Sequence, residues 1–260
     1  MWEKQLNKMI EASYAAEVKI KEIYNTDFVV EIKSDDSPVT KADKIADKLI
    51  REILSKEFSD YGFLTEESID TKERLSKENV FIVDPVDGTK EFVNRNGEFT
   101  TNIALCHNHE IVVGVINIPM YDVLYYAIKG QGTWRLEKGK EPVQIHVSDK
   151  IGNGLTALKS RSFFNEEEAK MMEKHKDQIT NVKSYGAALK FCKLAEGDAE
   201  IQYRFSKNTK EWDVASGNLI LTEAGGVMVK PDLTTYTYNR EDPYNHEGYI
   251  LANCMENVLL

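Results

Sequence analysis

The apolar run Val80-Phe81-Ile82-Val83 leads straight into Asp84-Pro85-Val86-Asp87-Gly88-Thr89. Four large apolar residues in succession read as a buried strand. Two acids, a proline and a Gly-Thr turn are a poor way to end such a strand for stability alone. They suit the display of oxygen ligands beside backbone N–H groups. Hard cations such as Mg²⁺ take carboxylate and carbonyl oxygens and keep positions open for water and phosphate oxygens. Asp84 and Asp87, three apart around a turn, are spaced to bridge or flank a metal pair. Gly88 lets an anion approach the backbone closely. The hexamer also reads as a type I or II turn, with Pro at the second position and Asp-Gly after it.

The surroundings predict a layered chain. Residues 2–24 form an amphipathic helix with Trp2, Leu6, Met9, Ala16, Ile20 and Ile23 on one stripe. Phe28, Val30 and Ile32 alternate as a strand. The polar loop Ser34-Asp35-Asp36-Ser37-Pro38 leads to a helix over 41–58, whose positions Ala42, Ile45, Ala46, Leu49, Ile50, Ile53, Leu54 and Phe58 fit the 3.6 period, with Thr40 as N-cap. Strands follow at 100–106, 111–118, 123–128 and 143–147, an antiparallel meander. From about 150 the pattern becomes βα alternation. It has strands at 155–159, 200–205, 227–230 and 249–253, and helices at 165–176, 187–196 and 213–224. The stretch between Gly130 and Gly154 divides an N-terminal α+β lobe (1–140) from a C-terminal α/β lobe (141–260).

A chain of 260 residues fits one large domain or two small ones sharing a cleft. The net charge of −10 argues against a nucleic-acid partner, though bound cations reverse the local sign for a small phosphorylated ligand. The three cysteines are widely spaced and form no CxxC, so a reduced, intracellular setting is the simplest reading. No apolar run approaches the roughly 20 residues that span a bilayer, which leaves peripheral membrane association open. Oligomeric state is open between monomer and homodimer.

Three further acidic segments bear on the hexamer. In Thr65-Glu66-Glu67-Ser68, a glutamate either completes a metal site with Asp84 and Asp87 or belongs to a solvated surface pair. Asp43, on the first turn of the 41–58 helix, either favours the helix N-terminus or accepts a proton through a neighbouring hydroxyl. Asp213, in Trp212-Asp213, either caps its helix or presents a ligand where a helix N-terminus faces a cleft. His107-Asn108-His109 reads as a hairpin turn rather than a metal motif. The chain has no GxxxxGK[ST] loop, no GxGxxG after a strand and no Gly-x-Ser-x-Gly elbow. What remains is an oxygen-rich metal site suited to phosphoryl chemistry with a water nucleophile.

Together, Ser37-Pro38-Val39-Thr40-Lys41-Ala42-Asp43, Thr65-Glu66-Glu67-Ser68, Asp84–Thr89, Trp212-Asp213-Val214-Ala215-Ser216-Gly217 and Glu223-Ala224-Gly225-Gly226 resemble the inositol monophosphatase superfamily of metal-dependent, lithium-sensitive phosphatases. The extensions Lys90-Glu91-Phe92 and Arg95-Asn96-Gly97-Glu98-Phe99-Thr100 resemble its bacterial 3′(2′),5′-bisphosphate nucleotidases more narrowly. So does Gly186-Ala187-Ala188-Leu189-Lys190-Phe191-Cys192. Ser216 departs from the alanine frequent there, and Glu241–His246 matches the closing loop only loosely.

The resemblance implies a two-lobed, layered αβαβα sandwich in the cytoplasm, with two or three Mg²⁺ ions per active site. It implies Glu66, Asp84, Asp87, Asp213 and the Val86 carbonyl as metal ligands. Gly88 and Thr89 would offer N–H groups to the phosphate, alongside Val86, Asp87 and Asp213, and Thr89 paired with Asp43 would activate the water. The implied reaction removes the 3′-phosphate of adenosine 3′,5′-bisphosphate, or of its sulfated form. Inositol-1-phosphate or a broader range of sugar phosphates is the alternative substrate, and a catalytically silent regulator the rival role. Lys190, Arg161 and Arg204 are candidates for the 5′-phosphate or base. For Lys190, a solvated helix face shared with Lys193 is the competing reading.

Overall fold

The computed structural model describes residues 1–32 and 38–260. Of the loop expected at 34–38, residues 34–37 lie outside the described residues. Helices α1 (Glu3–Tyr24) and α2 (Lys41–Glu57) pack together as the first layer, separated in sequence by the antiparallel pair β1 (Val30–Ile32) and β2 (Pro38–Thr40). Met9, Ala12, Ala16 and Ile20 of α1, and Ala46, Ile50 and Leu54 of α2, are fully buried. The i, i+4 spacing of small residues lets the helix backbones approach. Thr40 caps α2, its Oγ1 accepting from Ala42 N at 3.1 Å.

The second layer is a seven-stranded sheet in chain order. It comprises β3 (Gly62–Thr65), β4 (Asn79–Asp87), β5 (Thr100–His107), β6 (Glu110–Ile118), β7 (Val123–Ile128), β8 (Thr133–Glu137) and β9 (Val143–Ile145). The short helix α3 (Thr89–Val93) follows β4. β3 runs parallel to β4, and all other neighbours are antiparallel. Along β4, Phe81 and Val83 face the core under α1 and α2, while Val80 and Ile82 face the opposite core. Both faces are covered, which is why the strand reads as an unbroken apolar run. The His107–His109 segment is the tight β5–β6 turn, with Asn108 at φ 48° and His109 at φ 67°, as a two-residue hairpin of the I′ kind requires.

The remaining layers come from β10 (Leu155–Ser160), α4 (Glu166–Lys174), β11 (Ile179–Tyr185), α5 (Leu189–Ala195), β12 (Ile201–Arg204), α6 (Glu211–Glu223), β13 (Val227–Val229) and β14 (Tyr249–Ala252). The strands form a mixed sheet in the order β11-β10-β12-β14-β13. Helices α5 and α6 lie between the two sheets, and one core joins Ile82 and Ile116 to Phe191, Val214, Ile220 and Leu251. On the outer face, Met171 and Met172 of α4 cover Leu155, Ala157, Ile201 and Ile250. The layering is therefore αβαβα. At Gly114 a Cβ would stand 2.8 Å from the Ser216 carbonyl oxygen. Glycine there lets α6 lie directly on β6.

Several boundaries differ from expectation. β8 and β11 were not expected, because Thr-Trp-Arg-Leu-Glu and Ile-Thr-Asn-Val-Lys-Ser-Tyr mix charge and polarity on partly exposed strands. β9 still belongs to the first sheet, so the passage between sheets falls after Ile145 rather than at 140. Helix α6 starts two residues early, which makes Asp213 its third residue and not its cap.

Candidate active site

Residues 84–87 meet their sheet neighbour out of step. Asp84 pairs with Asn102 and Asp87 with Thr100. Three steps along β4 thus match two along β5, a β-bulge of one extra residue. Pro85 suits that place because it has no N–H to leave unpaired, and its carbonyl accepts from Thr101 Oγ1 at 2.9 Å. In a regular strand, residues three apart point to opposite faces. The extra residue turns both acids to the α6 side and leaves Val86 in the core beneath α1 and α2. Gly88 follows at φ 89°, a left-handed conformation that only glycine adopts without strain, and begins α3.

Asp213 comes from the other half of the chain. It sits on the first turn of α6, where its Oδ2 accepts from Lys210 N at 2.6 Å. Asp84, Asp87 and Asp213 each bring an oxygen to within 4.8 Å of the other two. Glu66 follows β3, its N–H bonded to the Val83 carbonyl at 3.2 Å, and lines the same cavity. Asp84 Oδ1 accepts from Val86 N at 3.1 Å, and Asp87 Oδ2 from Asn102 Nδ2 at 3.1 Å.

Burial and mutual repulsion raise the pKa values of the three aspartates. Burial, then the charges of Glu66, Asp87, Asp213 and Asp43, raises Asp84 well above the usual carboxylate range. Asp87 is pushed up to about 6, chiefly by burial, although the Lys190 ammonium pulls the other way. Burial, then Asp87 and Glu66, takes Asp213 to about 8. A divalent cation would offset the repulsion. Three carboxylates converging from two layers, beside a main-chain carbonyl, fit a hard cation in donor chemistry.

Asp43 stands next to this cluster. Its Oδ2 accepts from Thr40 N at 2.8 Å and Thr40 Oγ1 at 2.6 Å, and its Oδ1 from Thr89 Oγ1 at 3.1 Å. Thr89 Oγ1 also lies 3.3 Å from the Val86 carbonyl. A hydroxyl has one proton, and the carboxylate is the nearer and stronger acceptor. Burial raises the Asp43 pKa, against the hydrogen bonds from Thr40.

The cavity beside the acids measures about 610 Å³. It is also lined by Lys90, Lys190, Arg204 and Lys210, and by Phe163, Trp212, Tyr244 and Tyr249. Lys190 is buried rather than on a solvated face. Its Nζ donates to the Ala187 carbonyl at 2.6 Å and lies 3.4 Å from that of Tyr185. Burial brings its pKa down to about 8, with Asp87 opposing. Lys193 instead pairs with Glu196. Arg204 donates to the Phe163 carbonyl at 2.7 Å and to Glu168 at 3.2 Å. Arg161 is not at the cavity: its guanidinium grips Glu98 at 2.6 and 2.7 Å. Sequence reasoning missed Lys90, Phe163, Lys210, Tyr244 and Tyr249. The Lys210 ammonium lies 5.2 Å from the ring centres of both Trp212 and Tyr244. Lys210 and Trp212 flank Glu211 beside the acidic motif, a signal that was available.

Comparison with known proteins agrees with this geometry. The pattern of the inositol monophosphatase family matches residues 2–258, and the chain belongs to that family. It is 38% identical over 218 residues to the 3′(2′),5′-bisphosphate nucleotidase CysQ of Salmonella typhimurium, covering 84% of this chain and 86% of that one. The protein of the same name from Buchnera aphidicola is 36% identical over 229 residues, 87% of this chain and 84% of its own. The crystal structure of CysQ from Bacteroides thetaiotaomicron, a bacterial member of the family, superimposes with a TM-score of 0.82. It is 32% identical and covers 97% of this chain and 98% of that chain.

Proposed function

We propose that this protein is a Mg²⁺-dependent 3′(2′),5′-bisphosphate nucleotidase, converting adenosine 3′,5′-bisphosphate to AMP and phosphate. One observation carries the reading. The acidic cluster opens into a cavity that is also lined by cationic and aromatic side chains. A second phosphate and a base would find cationic and aromatic partners there. The identity to two bisphosphate nucleotidases supports the same substrate class.

Glu66, Asp84, Asp87, Asp213 and the Val86 carbonyl would hold the metal, which when bound supplies charge neutralisation at the phosphoryl oxygens and acidifies water. The chain's own groups do the rest. Thr89 donates its proton to Asp43, so its oxygen lone pairs face outward to accept from a water. As that water forms a bond to phosphorus, its proton passes through Thr89 Oγ1 to Asp43, and the ribose 3′-oxygen leaves with the electron pair of the broken P–O bond and takes a proton from solvent. The raised pKa of Asp43 makes it a better proton acceptor than an exposed aspartate. The Gly88 and Thr89 N–H groups are assigned to the phosphoryl oxygens, and Lys190 to the distant phosphate. Lithium inhibition, an active-site content of two or three ions and turnover of the sulfated nucleotide belong to the same reading. Among the described residues, no helix is long and apolar enough to cross a membrane.

The test is phosphate release with Mg²⁺ from adenosine 3′,5′-bisphosphate and from inositol 1-phosphate, side by side, with and without lithium. A lithium-sensitive preference for the nucleotide is expected. Equal or faster release from inositol 1-phosphate would overturn the substrate assignment and leave the metal mechanism standing.

A further inference from the structure

Two acids of the first half of the chain hold a bend of the second half. Glu98 Oε2 accepts from Gly186 N at 2.7 Å and from Arg161 Nε at 2.6 Å, while its Oε1 accepts from Arg161 Nη2 at 2.7 Å. The same Arg161 nitrogen donates to the Ser184 carbonyl at 2.9 Å. Glu91 Oε1 accepts from Ser162 Oγ at 2.5 Å. The bend is packed as well as bonded. A Cβ on Gly186 would stand 2.5 Å from Glu91 Cγ and 2.7 Å from the Glu98 carbonyl oxygen. Ala187, next in line, is held at φ 49°, a region costly for a residue with a side chain and kept only where its surroundings impose it.

The bend in turn places one ammonium. Lys190 Nζ is bonded to the Ala187 carbonyl and lies near that of Tyr185. Both carbonyls belong to the segment that Glu98, Arg161 and Glu91 fix. Among the described residues Glu98 and Arg161 do not line the cavity, so neither touches a substrate there. We infer that Glu98 is a positioning residue for substrate selection. Through Gly186 and Arg161 it sets the bend that aims Lys190, and so determines the preference for a nucleotide with a second phosphate over one without. This inference rests on the proposed nucleotidase reading and adds to it a specific residue outside the cavity.

The experiment compares adenosine 3′,5′-bisphosphate with 3′-AMP, which has the same scissile ester and no 5′-phosphate. For Glu98→Gln the KM for the bisphosphate is expected to rise about tenfold, the scale of a lost charge-assisted hydrogen bond. Its kcat, the KM for 3′-AMP and the Mg²⁺ concentration for half-maximal rate should stay near those of the unaltered protein. Arg161→Gln, at a half-exposed position, should shift the ratio of the two kcat/KM values in the same direction. It also carries the test if Glu98→Gln does not fold. Equal losses on both substrates would mean a merely structural role, and an unchanged ratio in a folded variant would mean none; either overturns the inference. If the unaltered protein itself shows no preference for the bisphosphate, the nucleotidase reading fails instead.

Discussion

Asp43→Asn gives the sharpest test of the proton path, because the structure separates its effect on chemistry from its effect on stability. Asparagine keeps an oxygen that can accept from Thr40 N–H, now 2.8 Å from the carboxylate. Its amide nitrogen, however, would meet Thr89 Oγ1 as a donor. The hydroxyl then has no carboxylate to receive its proton and its lone pairs are engaged. Loss of a positioned general base costs about 10²–10⁴ in rate, and kcat with Mg²⁺ should fall within that range. Stability should change little. The carboxylate on the first turn of α2 contributes about 0.3–1 kcal/mol with the helix dipole. Yet its pKa is raised by burial, so its charged form is itself strained at neutral pH. These effects partly cancel, leaving a net loss below about 1.5 kcal/mol and a Tm shift of only a few degrees. The assay is steady-state phosphate release beside a thermal melt and a Mg²⁺ titration by calorimetry. A folded variant with near-normal kcat would falsify the assignment of Asp43 as proton acceptor.

Four further outcomes are expected. Asp87→Asn should abolish turnover while the fold survives, and circular dichroism with an activity assay checks both. Lys190→Gln should weaken the bisphosphate by about tenfold in KM, given a lost charge-assisted hydrogen bond, with little effect on 3′-AMP; equal effects on the two would refute its pairing with the second phosphate. In metal-free protein Asp87 and Asp213 have folded pKa values of about 6 and about 8 against an ordinary 3.8. The folded state therefore binds more protons than the unfolded state from about pH 4 to 8, and this cluster's contribution to stability falls as pH rises. The Mg²⁺-induced rise in Tm should thus be larger at pH 8 than at pH 6, and a pH-independent rise would contradict that account. Gly114→Ala would push a Cβ to 2.8 Å from backbone at Ser216. Overpacking of this kind costs about 1–3 kcal/mol and should lower both Tm and, by displacing α6 and Asp213, kcat.

The parts of this fold legible in the sequence are those where burial is one-sided or complete. α1 and α2 follow the 3.6 period because one face meets a sheet, and β4 to β7 are rich in branched and aromatic residues because both faces are covered. β8 and β11 were hidden because their side chains serve partly exposed positions. At the site, the motifs held Asp84, Asp87 and Asp213, which the fold brings together, but nothing in them showed the arrangement. A spacing of three suggested a turn, whereas the structure has a bulge. Lys190 was ambiguous because helical periodicity in a seven-residue helix cannot distinguish a buried lysine from a solvated one. Arg161 was drawn toward the cavity by its charge, but its partner Glu98 is 63 residues away and no local pattern joins them. Tyr244 reaches the cavity through a long-range bridge between Lys210 and itself, which is invisible to any local rule.

The one-residue excess in β4 makes the position of Asp87 a matter of parity. Odd and even places along a strand belong to different layers of the molecule, and the bulge at Pro85-Val86 exchanges them once. Deleting Val86 would cancel that exchange. Asp87, now two places after Asp84 in a regular strand, would still face the α6 side, but Pro85 would take the core place beneath α1 and α2 that Val86 fills, and the Val86 carbonyl would be lost from the site. The length of this segment is therefore as much a part of the site as its composition. A chain that retained every acid but lost Val86 should fold poorly for want of that core side chain and hold a cation more weakly.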